Sequence, residues 1–253
     1  MEGRPIFRHG LAALEDDVQA MAAAAERQFE AAARSLHAED ANLYHRVIAG
    51  DDEVDDHYLR IEREIIELYA LQSPVLATDL RLLTAIGHIN GHLERVGDMA
   101  VNIAKIGEST QHLPRAEPVM QRLDEMSRLA LAMLEAAMSA LAHRDVDLAR
   151  SLTAMDEPID ALNRGMLTEV LDAARDRDLL AWCVDMHLVS RQMERIGDHA
   201  VDIGEQVAYL VTGEFQQFTD ASHPEVEHPE LVAGGPQDGR SADQSSGAST
   251  PTS

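Results

Sequence analysis

The stretch "HLERVGDMAVNIA", His92–Ala104, decides the reading of this chain because it returns as "QMERIGDHAVDIG", Gln192–Gly204. Seven positions repeat in register: Glu94/Glu194, Arg95/Arg195, Gly97/Gly197, Asp98/Asp198, Ala100/Ala200, Val101/Val201 and Ile103/Ile203. Each copy sets two acids one helical turn apart, with a glycine just before the second. Glycine inside a helix costs about 1 kcal/mol relative to alanine. A penalty kept twice calls for a reason that applies twice.

The echo extends towards the N-terminus. "LHAEDANLYHRVIAGDDEVD" (Leu36–Asp55) lies over "LAHRDVDLARSLTAMDEPID" (Leu141–Asp160) at an offset of 105, matching Asp40 to Asp145, Leu43 to Leu148, Asp51 to Asp156 and Asp55 to Asp160. The offset is 100 at the Glu-Arg-Gly-Asp element, so the first copy carries five more residues between the matches, around "LQSPVLATD". Helical periodicity predicts helices over about Leu11–Leu36, Asn42–Leu71, Ala77–Thr110, Val119–His143, Asp147–Ala174 and Arg177–Val211. Pro74 disfavours helical geometry at Ser73 and stops the second. The expected fold is all-α: two tandem, sequence-related three-helix bundles, residues 8–113 and 116–215, built from six long helices. Residues 220–253 shift sharply to Gly, Pro, Ser and acids, which predicts a disordered acidic tail.

Composition narrows the function. Aromatic residues are 4% of the chain and apolar residues 45%, a balance that suits packed helices better than sheets. The net charge of -24 argues against nucleic acid, whose recognition draws on a cationic surface, and favours cationic partners, metal ions among them. One cysteine, Cys183, excludes an intrachain disulfide and a cysteine-rich zinc site. No apolar stretch follows "MEGRPIFRHG", and no apolar run approaches the ~18 residues a membrane span needs, so the expected location is cytoplasmic.

On a helical wheel, Leu82, Ile86, Ile89, Leu93, Val96, Ala100 and Ile103 share one face, and Glu94 and Asp98 sit roughly opposite. The second copy repeats this with Trp182, Val189, Met193, Ile196, Ala200, Ile203 and Val207 against Glu194 and Asp198. The wheel therefore predicts acidic stripes on outward faces. Carboxylates at i and i+4 repel unless a cation with oxygen ligands sits between them, and glycines on such a stripe let a ligand or another helix come close. With 45 acids in 253 positions, chance supplies about eight acidic i,i+4 pairs, so one pair says little. Specificity comes from recurrence, and from a second acidic pair upstream in each copy, Asp51/Asp55 and Asp156/Asp160. The upstream pairs also read as helix starts, Asp156 as an N-cap with Pro158 in the first turn and Asp51 similarly after Gly50. Spacing leaves open whether the two pairs of one repeat converge.

These motifs, with "VIAGDDEVD" and "TDLRLL" and the duplication itself, resemble the PhoU family of phosphate-signalling regulators over about residues 8–215. The resemblance implies two three-helix bundles side by side. It also implies multinuclear iron, zinc or other divalent metal clusters, found in some members, on Glu94, Asp98, Glu194 and Asp198, and less directly on Asp51, Asp55, Asp156 and Asp160. The family's role is negative regulation of phosphate uptake and the phosphate-starvation response. It is carried out without catalysis, between a phosphate ABC transporter and a sensor histidine kinase at the cytoplasmic membrane face, with a homodimer as a further assembly. Asp202 for Asn102 and Glu205 for Lys105 make the second stripe the more acidic, and so the expected stronger metal site.

Other readings compete. A helical interaction protein without metal is one. A histidine phosphotransfer module is another, with His88, His92 or His199 carrying phosphate, although none recurs between the repeats. A di-iron carboxylate enzyme needs Glu-x-x-His on facing core positions, a motif missing from the helical region. His88 and His92 have helical zinc-site spacing but point away from Glu94 and Asp98. His187 lies on the second stripe, and His199 shares the direction of His92. Arg95 and Arg195 are expected to pair with acids of a neighbouring helix, and Cys183 to be an inert core residue.

Overall fold

A computed structural model describes residues 3–37, 41–71 and 76–218. Every regular element among them is helical: α1 (Gly3–Ser35), α2 (Ala41–Ala49), α3 (Asp51–Leu71), α4 (Ala77–Thr110), α5 (Glu117–His143), α6 (Val146–Asp172), a 3₁₀ turn (Ala173–Arg175) and α7 (Arg177–Thr212). The expected tail at 220–253 lies outside the described residues. None of the described helices is long and apolar enough to cross a membrane.

Helices α1 to α4 pack together as the first unit and α5 to α7 as the second, and the units join through α4 on α7 and α1 on α5. Helices equivalent by sequence therefore face each other across the seam. One hydrophobic core runs from Phe7 through both units to Leu210. Every residue placed on the apolar faces of α4 and α7 by the wheel is buried, from Leu82 to Ile103 and from Trp182 to Val207.

Three local differences from expectation have physical reasons. Helix α1 starts at Gly3 rather than near Leu11, because Phe7 is buried in the core and Pro5 falls in the first turn, where its missing N–H costs nothing. The second expected helix is two, α2 and α3, broken at Gly50, whose N–H turns back to the carbonyls of Arg46 (2.9 Å) and Val47 (3.2 Å). The acids Asp51, Asp52 and Glu53 then suit the new positive N-terminus. In the second repeat Met155 stands in place of Gly50 and the helix runs on. Asp156 is accordingly not an N-cap. It lies ten residues inside α6, and the cap is Asp145, whose carboxylate accepts from the N–H groups of Asp147 (3.1 Å) and Leu148 (3.0 Å). Pro158 is tolerated mid-helix because it and Ala154, whose carbonyl loses its partner, both face solvent.

Asp176 caps α7 in the same way, accepting from Asp178 and Leu179, each at 3.1 Å. Removing either cap by Asp145→Ala or Asp176→Ala should lower stability by about 1 kcal/mol. Trp182, the single tryptophan and 2% exposed in the core, makes fluorescence-detected denaturation the direct check.

Candidate functional site

In both repeats the upstream acids converge on the Glu-x-x-Gly-Asp element of the following helix. On α4, a Cβ at Gly97 would lie 3.1 Å from Gln28 Oε1, 3.2 Å from Asp51 Oδ1 and 3.2 Å from Val54. On α7, a Cβ at Gly197 would lie 2.5 Å from Asp156 Oδ1, 3.4 Å from Ile159 and 3.6 Å from Met133. These are matched sets: Asp51/Asp156, Val54/Ile159 and Gln28/Met133 correspond at the same offset of the duplication. The glycine therefore admits a neighbouring helix, α3 or α6, which carries two more carboxylates to the stripe. Asp51, Asp55, Glu94 and Asp98 form one quartet, and Asp156, Asp160, Glu194 and Asp198 the other.

The second stripe is not an outward face in the sense the wheel implies. Asp156 is 2% exposed, Asp160 7% and Glu194 8%, while Asp198 is half-buried. The first quartet is more open, with Asp51 and Glu94 half-buried and Asp55 and Asp98 exposed. Helices α4 and α7 each touch partners of their own unit and one another, so a face opposite the core stripe still lies against a helix.

Electrostatics follow the burial. Burial first, then the charge of Asp98, pushes the Glu94 carboxyl above its ordinary value, with Asp55 and Asp51 adding to it. Asp55 is raised by burial and by Asp51 and Asp98. In the second quartet, burial and then Asp198 push Glu194 up to about 7, with Asp160 contributing in the same direction. Asp198 is raised by burial, Asp160 and Asp202.

Residues outside the expected set complete the geometry. Arg191 pairs with Glu194 Oε1, whereas Glu194 Oε2 is buried with no hydrogen-bond partner among the described residues. Arg164 reaches Asp160 at 3.3 Å. The first repeat carries Gly91 and Leu59 at these two places and instead uses Gln28, which donates to Asp51 Oδ1 at 3.1 Å. One turn before the acids, Asn90 donates to the Tyr58 carbonyl (3.2 Å), and Ser190 bonds Asn163 (2.9 Å), tying the same helix pairs. A cleft of about 270 Å³ opens beside the second quartet, lined by Asp156, Arg195, Asp198, Asp202, Glu205 and Phe218 among others. Its outer wall is held by the Phe218 N–H donating to Glu205 at 2.6 Å.

Arg95 and Arg195 do not pair as expected. Both are exposed, and neither makes an ion pair among the described residues. His187 sits beside Ser190 (3.4 Å) rather than in the quartet. His92 and His199 meet each other across the seam at 3.1 Å instead of standing free for phosphotransfer, while His88 is exposed. Cys183 is buried and its thiol raised by that burial, as an inert core residue should be.

Two outcomes follow. Gly197→Ala forces a methyl against a buried carboxylate, and overpacking of this kind costs about 1–3 kcal/mol, more than the ~1 kcal/mol alanine gains in a helix. Gly97→Ala meets Gln28 at 3.1 Å and Asp51 and Val54 at 3.2 Å, so its neighbours need yield only by a few tenths of an ångström and it should cost clearly less than Gly197→Ala; paired denaturation curves check the contrast. Glu194 binds its proton more tightly folded than unfolded, so in chelator its contribution to stability is complete below 4.5 and is lost as pH rises through about 7. Glu194→Gln should flatten that part of a melting-temperature profile and raise stability above neutrality.

The model of the PhoU domain matches twice, at residues 18–107 and 123–207. Among curated relatives, the phosphate-specific transport system accessory protein PhoU homolog of Deinococcus radiodurans is 34% identical over 212 residues, spanning 79% of this chain and 97% of its own. The homolog of the same name from Clostridium acetobutylicum is 29% identical over 218 residues, spanning 86% and 99%. Among solved structures, PhoU from Pseudomonas aeruginosa superposes with a TM-score of 0.77 at 28% identity, covering 82% of this chain and all of that one. The phosphate transport system regulatory protein PhoU from Streptococcus pneumoniae gives 0.77 at 25%, covering 83% and 99%. With the duplicated element inside both matched segments, the chain belongs to the PhoU family.

Proposed function

We propose that this protein is a regulator of phosphate transport that acts by binding rather than catalysis, a cytoplasmic helical adaptor between a phosphate ABC transporter and a sensor histidine kinase that represses uptake and starvation signalling. The names of its relatives, accessory and regulatory proteins of phosphate transport systems, support the pathway. A second copy of the chain is a further partner of this reading.

The observation that carries the metal part of the proposal is the twofold convergence of four carboxylates around a glycine. Asp51, Asp55, Glu94 and Asp98 would hold one set of divalent cations, and Asp156, Asp160, Glu194 and Asp198 the other. An all-oxygen donor set suits hard cations such as Fe or Mn, and the buried Glu194 Oε2 is a lone-pair donor with no hydrogen-bond partner among the described residues. Bound there, a cation supplies positive charge that neutralises the quartet. The residues do the rest: Gln28 orients Asp51, Arg191 and Arg164 stand in for part of the missing charge in the second repeat, and the first repeat carries Gly91 and Leu59 at those two positions. On count alone the second stripe is the more acidic, and its two arginines offset part of that charge.

Elemental analysis of the full chain tests this. Stoichiometric iron, manganese or zinc should be present, and should disappear in the quadruple variant Glu94→Gln, Asp98→Asn, Glu194→Gln and Asp198→Asn. The same variant should fail to restore phosphate repression in a host lacking its own relative. A wild type that is empty and takes up no added metal would leave the quartets as docking faces for protein and remove the metal from the proposal.

A further inference from the structure

The seam between the repeats carries a second kind of donor cluster that shares no residue with the quartets. His92 on α4 and His199 and Asp202 on α7 present Nδ1, Nδ1 and Oδ2 to one another, all within 4.8 Å. The two Nδ1 atoms are 3.1 Å apart, and Asp202 Oδ2 lies 3.5 Å from His92 Nδ1 and 3.4 Å from His199 Nδ1. From these distances we infer that His92, His199 and Asp202 form a zinc-class divalent-cation site that clamps the first repeat to the second.

The position of the carboxylate separates this from a simple hydrogen-bonded pair. Asp202 is almost equidistant from both nitrogens and beyond the ~2.7–3.2 Å of an N–H···O bond to either. Two imidazole nitrogens facing each other at 3.1 Å need a hydrogen or a cation between them: either one ring's N–H donates to the other's lone pair, or both lone pairs meet a metal. A tetrahedral zinc with bonds of about 2.0–2.1 Å requires ligand atoms about 3.3 Å apart. The three observed separations straddle that value. The side chains are largely shielded by the helices, His92 at 22% and His199 at 13% exposed, whereas Asp202 is 43% exposed. His199 and Asp202 also line the 270 Å³ cleft, which leaves the fourth coordination position open to water or a further ligand.

The cluster is built once. The places equivalent to His92, His199 and Asp202 in the opposite repeat hold Gln192, Met99 and Asn102, none a comparable ligand. It is therefore not a relic of the duplication, and it spans the contact that makes the two bundles one body. Two imidazoles and one carboxylate suit zinc, cobalt or nickel better than calcium or magnesium.

Cobalt(II) added to the full, metal-stripped chain is the first test, since tetrahedral nitrogen-ligated cobalt absorbs strongly in the visible and octahedral all-oxygen cobalt only weakly. The expected result is one equivalent with the intense band, displaced by zinc, together with a rise in melting temperature. The band should vanish in His92→Gln/His199→Met, which places at each position the residue its own duplicate carries. It should survive in the quadruple carboxylate variant, so failure of the quartet reading leaves this site standing and the reverse also holds. No intense band in the wild type, or a band undiminished in the histidine variant, overturns the inference and leaves a shared proton between the two rings.

Discussion

The structure depends on how closely α3 lies on α4 and α6 on α7. A side chain at Gly97 or Gly197 would stand in the path of the neighbouring helix, and at Gly197 it would overlap the carboxylate of Asp156. Close approach has one direct consequence: acids that belong to different helices become neighbours. Their mutual repulsion and loss of water then raise the carboxyl groups of Glu94, Asp55, Glu194 and Asp198 together. Such an arrangement is unfavourable by itself, so the surrounding residues, or a bound cation, must supply what offsets it.

The two repeats solve this differently despite their common pattern. In the first, the quartet is partly open to solvent and Gln28 is its polar support. In the second, Met133 replaces that support, the acids sink between α6 and α7, and Arg191 and Arg164 bring positive charge. The additional acids Asp202 and Glu205 serve other contacts, with His92 and His199 and with the backbone of Phe218. Duplication preserved the backbone relation and let the electrostatics diverge.

The seam between the units follows the same logic of shared burial. Equivalent helices face each other, α4 with α7 and α1 with α5. Around the core contacts lie polar ties that cross the seam, including Arg144 to Glu15 and His37 to Asp124 at 2.6 Å. Arg144 reaches Glu15 from the left-handed turn that ends α5, at φ 55°, so a backbone strain sits where a cross-unit ion pair is made.

Much was legible beforehand. The repeated element announced the duplication, periodicity located the helices to within a few residues apart from the start of α1 and the break between α2 and α3, and every apolar position on the two wheels is in the core, because 3.6-residue spacing encodes a direction of burial. What it does not encode is how many neighbours a helix has. Helices α4 and α7 each have several, so the acids of α7 opposite its main core stripe are largely covered while Asp98 of α4 stays exposed, and Asp156 is interior where a local reading of "DEPID" made it a cap. Arg95 and Arg195 recur identically yet make no ion pair among the described residues, and His92 finds His199 across 107 residues of chain. Local sequence determined the helices, their faces and their repetition; only the packing of six faces at once decided which charges share low-dielectric space, because that depends on distances between helices that no single helix contains.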